Sequence, residues 1–404
     1  MSFGAAQIIL LLATPILTRL YAPSAFAYFG YIVSFVIVIL PLASFQYEYA
    51  IPLLKAKKMV QLLTRLCIYL VTGTSIAILF ISLIIRSKYP AFNIQIAILL
   101  LSFAILLFQG ILQVYSILLI ADGKAAMVAH GKLIQNTSMI VVQILLALCF
   151  FQSSTALLIG LVAGLIANLI YFRALLIKKF FRTRIKLTQR RLLFIIKRFY
   201  KLPLFSSWAT LIESASTLMP VLMIGPLYGA KSLGIYFLIY RVFNAPTGLL
   251  STAMAKVLLK ELGDRVKYKQ VILPLFKKSS LLLASIALFY LMLMWFIATY
   301  TPFIFGHEWL ETNPVLKLLA PIIAITLCVS PLSAIFVLLN RNGVDSIWQI
   351  FYLILTVTVI YFYRDKSFLT MLLHLSAVWV ILYSFYWFLM FRIISVRDKK
   401  ICVG

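Results

Sequence analysis

The stretch KKFFRTRIKLTQRRLLFIIKRFYK, residues 178–201, is the longest polar run in a chain that is otherwise a string of apolar segments. Its bases alternate with Leu192, Leu193, Ile195, Ile196 and Phe199 at near-helical spacing, the pattern of an amphipathic helix lying at a membrane surface. What flanks it sets the fold. A segment crossing about 30 Å of hydrocarbon at about 1.5 Å per residue needs roughly 20 apolar residues. Upstream, that rule gives six spans, at about residues 2–18, 27–46, 62–85, 92–120, 133–151 and 154–176. Downstream it gives six more, at about 203–226, 232–257, 276–301, 312–338, 346–363 and 368–391. The expected fold is an all-α integral membrane protein of about 12 transmembrane helices. Its expected parts are an N-terminal six-helix lobe (1–178), the basic linker (179–201) and a C-terminal six-helix lobe with a short cytoplasmic tail (202–404).

Composition agrees with lipid as the solvent. The chain is 64% hydrophobic and 12% charged, against about 45–50% and 25% for soluble domains. The net charge is +27, from 37 Lys and Arg against 10 Asp and Glu. In a soluble protein this would point to nucleic acid, but here the bases lie between apolar runs and read as the positive-inside bias. Lys55, Lys57, Lys58, Arg65, Lys124 and Lys132 fall on one side, followed by the linker bases, then Lys260, Arg265, Lys267, Lys269, Arg341, Arg392, Arg397, Lys399 and Lys400. The other side holds Arg19, Arg86, Lys88, Lys231, Arg364 and Lys366 beside Glu308 and Glu311. Both termini are therefore expected in the cytoplasm. The opening MSFGAAQIILLLATPILT has no basic leader and reads as a first span, short for its task, with no cleavable signal. Cys67, Cys149, Cys328 and Cys402 are isolated and read as apolar filler. No cofactor motif, metal-ligand cluster or catalytic constellation is present, so an enzyme is not expected.

Two halves of the chain echo each other. Pro15, Ile16 and Leu17 precede Leu20 and Tyr21, while Pro220, Val221 and Leu222 precede Leu227 and Tyr228. Six helices restore the original orientation, so such repeats would be parallel.

The stretch TPILTRLYAPSAFAYFGYIVSF, followed by SFQYEYAIPLLK, resembles the opening of Wzx-type oligosaccharide flippases, at Thr18, Arg19, Leu20, Tyr21, Pro23, Phe26, Tyr47, Glu48, Ala50 and Ile51. Pro203, Pro220, Gly234, Tyr236, Tyr240, Arg241 and Pro246 match the opening of that family's second half. Ala27 and Tyr28 depart from it where a Phe-Gly pair is common. The resemblance implies two six-helix lobes around a central cavity, working by alternating access. It implies translocation of an undecaprenyl-pyrophosphate-linked oligosaccharide to the outer leaflet of a bacterial inner membrane, for O-antigen, capsule or exopolysaccharide assembly. Membrane lipids, and other polysaccharide-assembly membrane proteins, are the further partners it implies; nucleic acid is not.

A pyrophosphate and its sugars cannot cross a low-dielectric slab without cations and hydrogen-bonding groups, so polar residues within helices are the candidates. Arg19 and Arg241 are the cationic candidates, with snorkelling to the interface the alternative for Arg19; Arg241 and Asn244, three residues apart, share one helical face. Gln109, Gln113, Gln143 and Asn244 are candidates for sugar hydroxyls; Gln135 and Asn136 join them, with helix-to-helix glue as the alternative for the amides. Glu213, mid-helix, and Glu48 are candidates for binding a coupling proton or sodium ion; a salt bridge between helices is the alternative for Glu213, and a pair with a nearby base such as Lys55 the alternative for Glu48. His374 reads as a packing residue, and Pro15, Pro41, Pro220, Pro246 and Pro321 as kinks. The competing functions are a cation-coupled drug or metabolite antiporter of the same superfamily, which would want an acidic cavity, and a membrane polymerase or glycosyltransferase, which would want a sizeable outer loop.

Overall fold

The computed structural model describes residues 2–88, 95–176 and 189–403. Thirteen α-helices follow in order among them: α1 Ser2–Leu20, α2 Pro23–Ala43, α3 Lys57–Lys88, α4 Ile96–Ala121, α5 Ala125–Cys149, α6 Ser154–Leu176, α7 Gln189–Arg198, α8 Ser207–Lys267, α9 Leu273–Phe305, α10 Thr312–Val329, α11 Ala334–Leu338, α12 Asn342–Phe362 and α13 Phe368–Val403. Ten apolar stretches among the described residues are long enough to cross a membrane, and α1 contributes a shorter one, Gly4–Leu20. The longest of the ten, Leu202–Lys267, is two helices in one. Gly229 breaks it at φ 87°, ψ 165°, a backbone setting open to glycine but strained for other residues. Counting its halves separately and adding α1 recovers the expected twelve spans.

The fifth span begins earlier than its apolar pattern suggests. Ala125, Ala126, Met127, Val128 and Ala129 carry the helix forward, so Lys132 stands within α5 and not in a connecting loop. All five expected prolines lie inside helices. The basic linker falls partly outside the described residues, at 177–188. Its second part forms α7, which packs against α3 with Ile195 buried while Phe194, Ile196, Lys197 and Arg198 are exposed.

The chain divides into two compact units, Met1–Ala215 and Ser216–Gly404. In the first, α5 packs on α6 and α1, α4 on α3 and α6, and α2 on α6 and α4. The α5–α6 seam is built on small residues. Gly160 faces the Gln143 side chain and Gly164 faces the Gln135 carbonyl, both too close to admit a Cβ. Without a hydrophobic force between helices in lipid, such close approach and the hydrogen bonds it permits hold the pair. In the second unit, α10 packs on α9 and α13, and α12 on α13. There Asp398, buried near the end of α13, accepts the backbone N–H groups of Ile272 and Leu273 at 2.8 and 2.7 Å and so caps α9. Arg397 donates to its other oxygen at 2.8 Å.

Candidate functional site

The first unit gathers polar side chains that the sequence scatters over three helices. The chain leaves α2 through Phe45 and Gln46, both left-handed at φ 52° and 57°, a setting that costs about 1–2 kcal/mol for a residue with a Cβ. This turn starts the 3-10 segment Tyr47–Leu53 and swings Glu48 inward. Glu48 is 0% exposed. It accepts from the Ser44 hydroxyl and, at 2.9 Å, from the Gln113 amide. The expected pair with Lys55 does not form; Lys55 is exposed, and two neutral donors hold the carboxyl instead. Burial pushes the Glu48 carboxyl above its ordinary value, and the hydrogen bonds only partly oppose that.

Gln113 also lines a cavity of about 190 Å³ formed by α4, α5 and α6, room for several waters at about 30 Å³ each. Gln109, Gln113 and Ser116 enter from α4, at helical spacing along one face. Lys132 and Gln135 enter from α5, and Asn168 and Phe172 from α6. Gln135 Oε1 accepts from Lys132 Nζ at 3.3 Å and from Asn168 at 3.2 Å. The Asn168 Oδ1 atom is buried and finds no partner. No carboxylate lines the cavity, and Lys132 has no ion-pair partner among the described residues. Its ammonium sits seven residues into α5, about 10 Å along the helix axis. A half-buried cation among amides is costly at membrane depth unless an anion or water faces it. Position 132 therefore makes this an anion-attracting hollow.

The other expected site residues are distributed as follows. Gln109 and Gln113 share the cavity. Gln143 does not reach it: fully buried, its side-chain amide donates to the Leu157 carbonyl at 2.8 Å across the α5–α6 seam, while its backbone carbonyl accepts from the Tyr21 hydroxyl at 2.7 Å. Asn136 similarly donates to the Ala6 carbonyl at 2.8 Å. Tyr21 of the TRLY stretch is thus a clamp between helices. Arg19 is exposed in the last turn of α1. Glu213 is exposed on α8, and it and Glu48 both bear on Tyr49. That tyrosine keeps half its surface exposed, yet its hydroxyl is pushed up, first by desolvation and then by these two carboxylates. In the second unit, Arg241 is half-buried, and Asn244 lines a separate hollow with Tyr240. His374 stacks on Tyr363 at 4.1 Å and bonds the Thr370 carbonyl, as a packing residue would.

Sequence reading passed over Lys132, Ser116 and Asn168. The apolar pattern places Lys132 in a connecting loop, because His130 and Gly131 before it are not apolar. The signal that could have found it is the Lys132–Gln135–Asn136 spacing, which puts three polar groups on one helical turn. Among the described residues no cluster of three or more His, Cys, Asp or Glu is placed to hold a metal.

Comparison with known proteins follows the same lines. A model of the family described as "Polysaccharide biosynthesis protein" matches residues 16–314. No curated protein sequence matches. Among solved structures, an inward-facing multidrug resistance MATE family transporter of the MOP superfamily aligns with a TM-score of 0.72 at 15% identity, over 97% of this chain and 96% of that one. The lipid II flippase MurJ in an inward closed conformation aligns equally well, TM-score 0.72 at 15% identity, over 99% and 91%. A MOP superfamily transporter from Pyrococcus furiosus, noted for reversed polarity of its binding pocket, aligns at 0.56 and 14% identity, over 98% and 94%. These likenesses carry the fold alone, a multi-pass bundle of membrane-spanning helices. With its family model spanning most of the sequence, the chain belongs to the polysaccharide biosynthesis protein family.

Proposed function

We propose that this protein translocates an undecaprenyl-pyrophosphate-linked oligosaccharide from the cytoplasmic to the outer leaflet of a bacterial inner membrane, by alternating access, for O-antigen, capsule or exopolysaccharide assembly. The observation that carries the reading is the Lys132 ammonium, set without a counter-ion among Gln109, Gln113, Ser116, Gln135 and Asn168. A diphosphate supplies the missing negative charge, and Gln109, Gln113 and Ser116 along one face of α4 supply bonds to water or sugar hydroxyls. Arg19 and Arg241 stand as further cations along the route. Such a task needs no bond to be made or broken, in keeping with a family and fold of transporters.

A second reading, cation-coupled export of a drug or metabolite, draws on the MATE fold likeness and on Glu48, whose raised affinity for a proton suits a coupling site. The two readings differ in cargo charge. Deleting the gene should strand lipid-linked repeat units in the cytoplasmic leaflet. Wild type should clear them, and Lys132→Gln should not. Normal leaflet distribution in the deletion strain, together with loss of drug efflux, would overturn the first reading in favour of the second. Arg19→Ala and Arg241→Ala, assayed in parallel, test whether those cations share the task; full clearance by both would remove them from it.

A further inference from the structure

The hollow that Asn244 lines belongs wholly to the second unit. Tyr236, Tyr240 and Asn244 reach it from α8, Tyr352 from α12, and Trp379 and Tyr383 from α13, with Thr217 and Thr326 at its margin. Tyr352 stacks on Trp379 at 5.6 Å and 15°, Tyr236 on Tyr240 at 6.3 Å and 13°, and Tyr383 meets Tyr352 edge-on at 5.9 Å.

Aromatic residues at helical spacing usually form core, and a buried tyrosine in a core finds a partner for its hydroxyl. This chain does so elsewhere. Tyr21 donates to the Gln143 carbonyl, Tyr228 to the Tyr363 carbonyl, Tyr290 to the Phe243 carbonyl and Tyr386 to Asp345. Trp379, within the hollow itself, donates to Thr356 at 2.8 Å. The hydroxyls of Tyr236, Tyr240 and Tyr352 make no hydrogen bond to the described residues, and all three side chains line the hollow. Three hydroxyls left open at one hollow are donors and acceptors that a guest with hydroxyls of its own can bond.

The guest must present a flat apolar face to rings and hydroxyl groups to hydroxyls. Rings alone could also attract an organic cation, but Arg241, next to Tyr240 in α8, opposes one, and the open hydroxyls favour a guest that carries hydroxyls. A sugar ring has the required character, with axial C–H bonds on its faces and hydroxyls on its edges. The hollow measures about 80 Å³, enough for the edge of a ring and not for a whole oligosaccharide. We infer that this aromatic hollow is a carbohydrate subsite, where part of one sugar's C–H face meets Tyr352 and Trp379 while Tyr236, Tyr240, Tyr352 and Asn244 bond the hydroxyls on its edge. The inference rests on the flippase reading above and adds a place where the sugar, as distinct from the diphosphate, is recognised.

The test uses full-length protein in proteoliposomes and two probes: the lipid-linked repeat unit extracted from the deletion strain, and undecaprenyl pyrophosphate bearing no sugar. The variant is Tyr236→Phe with Tyr352→Phe, which removes two hydroxyls and keeps both rings; its thermal midpoint checks folding. The expected result is a half-saturating concentration raised about tenfold for the sugar-bearing probe and unchanged for the bare diphosphate. Lys132→Gln should slow both. Equal handling of both probes by the tyrosine variant and wild type overturns the subsite, as does an equal loss on both probes, which marks a structural role. Failure of wild-type protein to move either probe overturns the flippase reading itself.

Discussion

The two units treat their buried polar groups in opposite ways. In Met1–Ala215 the hollow between α4, α5 and α6 is lined by amides, a serine and an ammonium, and its neighbouring carboxyl, Glu48, is sealed off by Ser44 and Gln113. In Ser216–Gly404 the hollow is lined by rings and by Leu319, Ile322 and Ile323, and its polar groups are the tyrosine hydroxyls with Asn244, Thr217 and Thr326. The first arrangement suits a small hydrated anion and the second an amphipathic neutral surface. A cargo made of a diphosphate and sugars contains both. On the proposed function, the difference amounts to a division of recognition by chemistry, charge in one unit and ring stacking in the other.

That contrast can be broken or sharpened by substitution. The largest expected effect is at the seam that shapes the first hollow. Gly164→Leu forces a side chain into the Gln135 backbone, and overpacking of this kind costs about 1–3 kcal/mol or more. Yield and thermal midpoint of the purified protein should fall together, and an unchanged midpoint would show that α5 and α6 are not held as described. Next is Lys132→Gln. Loss of a charge-assisted hydrogen bond to cargo is worth about 1.5–3 kcal/mol, so transport of the diphosphate-linked probe should drop roughly 10- to 100-fold. The midpoint should hold or rise, since a cation without an ion pair has been removed.

A control in the second unit comes third. Asp398→Ala uncaps α9 and should lower stability by about 1–2 kcal/mol. It leaves the aromatic hollow's lining untouched, so the apparent affinity for the sugar-bearing probe should not change.

The smallest effect is a pH dependence at Glu48. Its carboxyl is raised in the folded state above the ordinary 4.5, chiefly by burial. Between that value and the folded one, the folded protein holds a proton that the unfolded chain has lost, so stability falls as pH rises through this window. Glu48→Gln is neutral throughout and should not share the decline. The gap in midpoint between variant and wild type should therefore widen as pH is raised from about 4.5, and a constant gap would mean the carboxyl is not desolvated.

Much of this was readable beforehand, and the unread part has a physical cause. Twelve spans follow from apolar length alone, and Gly229 separates two of them because no side chain is at ease at φ 87°. Glu48 and Gln113 could each be picked out as polar within an apolar run, but not as partners, since 65 residues separate them. Lys132 does not stand out because His130 and Gly131 just before it break the apolar pattern, although Ala125, Ala126, Met127 and Ala129 are helix-forming. The aromatic hollow had a visible trace in the pairs Tyr236–Tyr240, Trp348–Tyr352 and Trp379–Tyr383, each four residues apart and so on one helical face. Their convergence depends on how α8, α12 and α13 pack, which spacing within one helix cannot specify.

The central claim, a cation placed to meet the cargo's diphosphate, is tested most directly by the initial translocation rate of a polyprenyl-diphosphate-linked oligosaccharide in proteoliposomes. Wild type, Lys132→Gln and Lys132→Arg should be compared at equal protein density. The charge-free variant should be at least about tenfold slower, with much of the rate restored by arginine. Equal rates for wild type and Lys132→Gln would contradict the account.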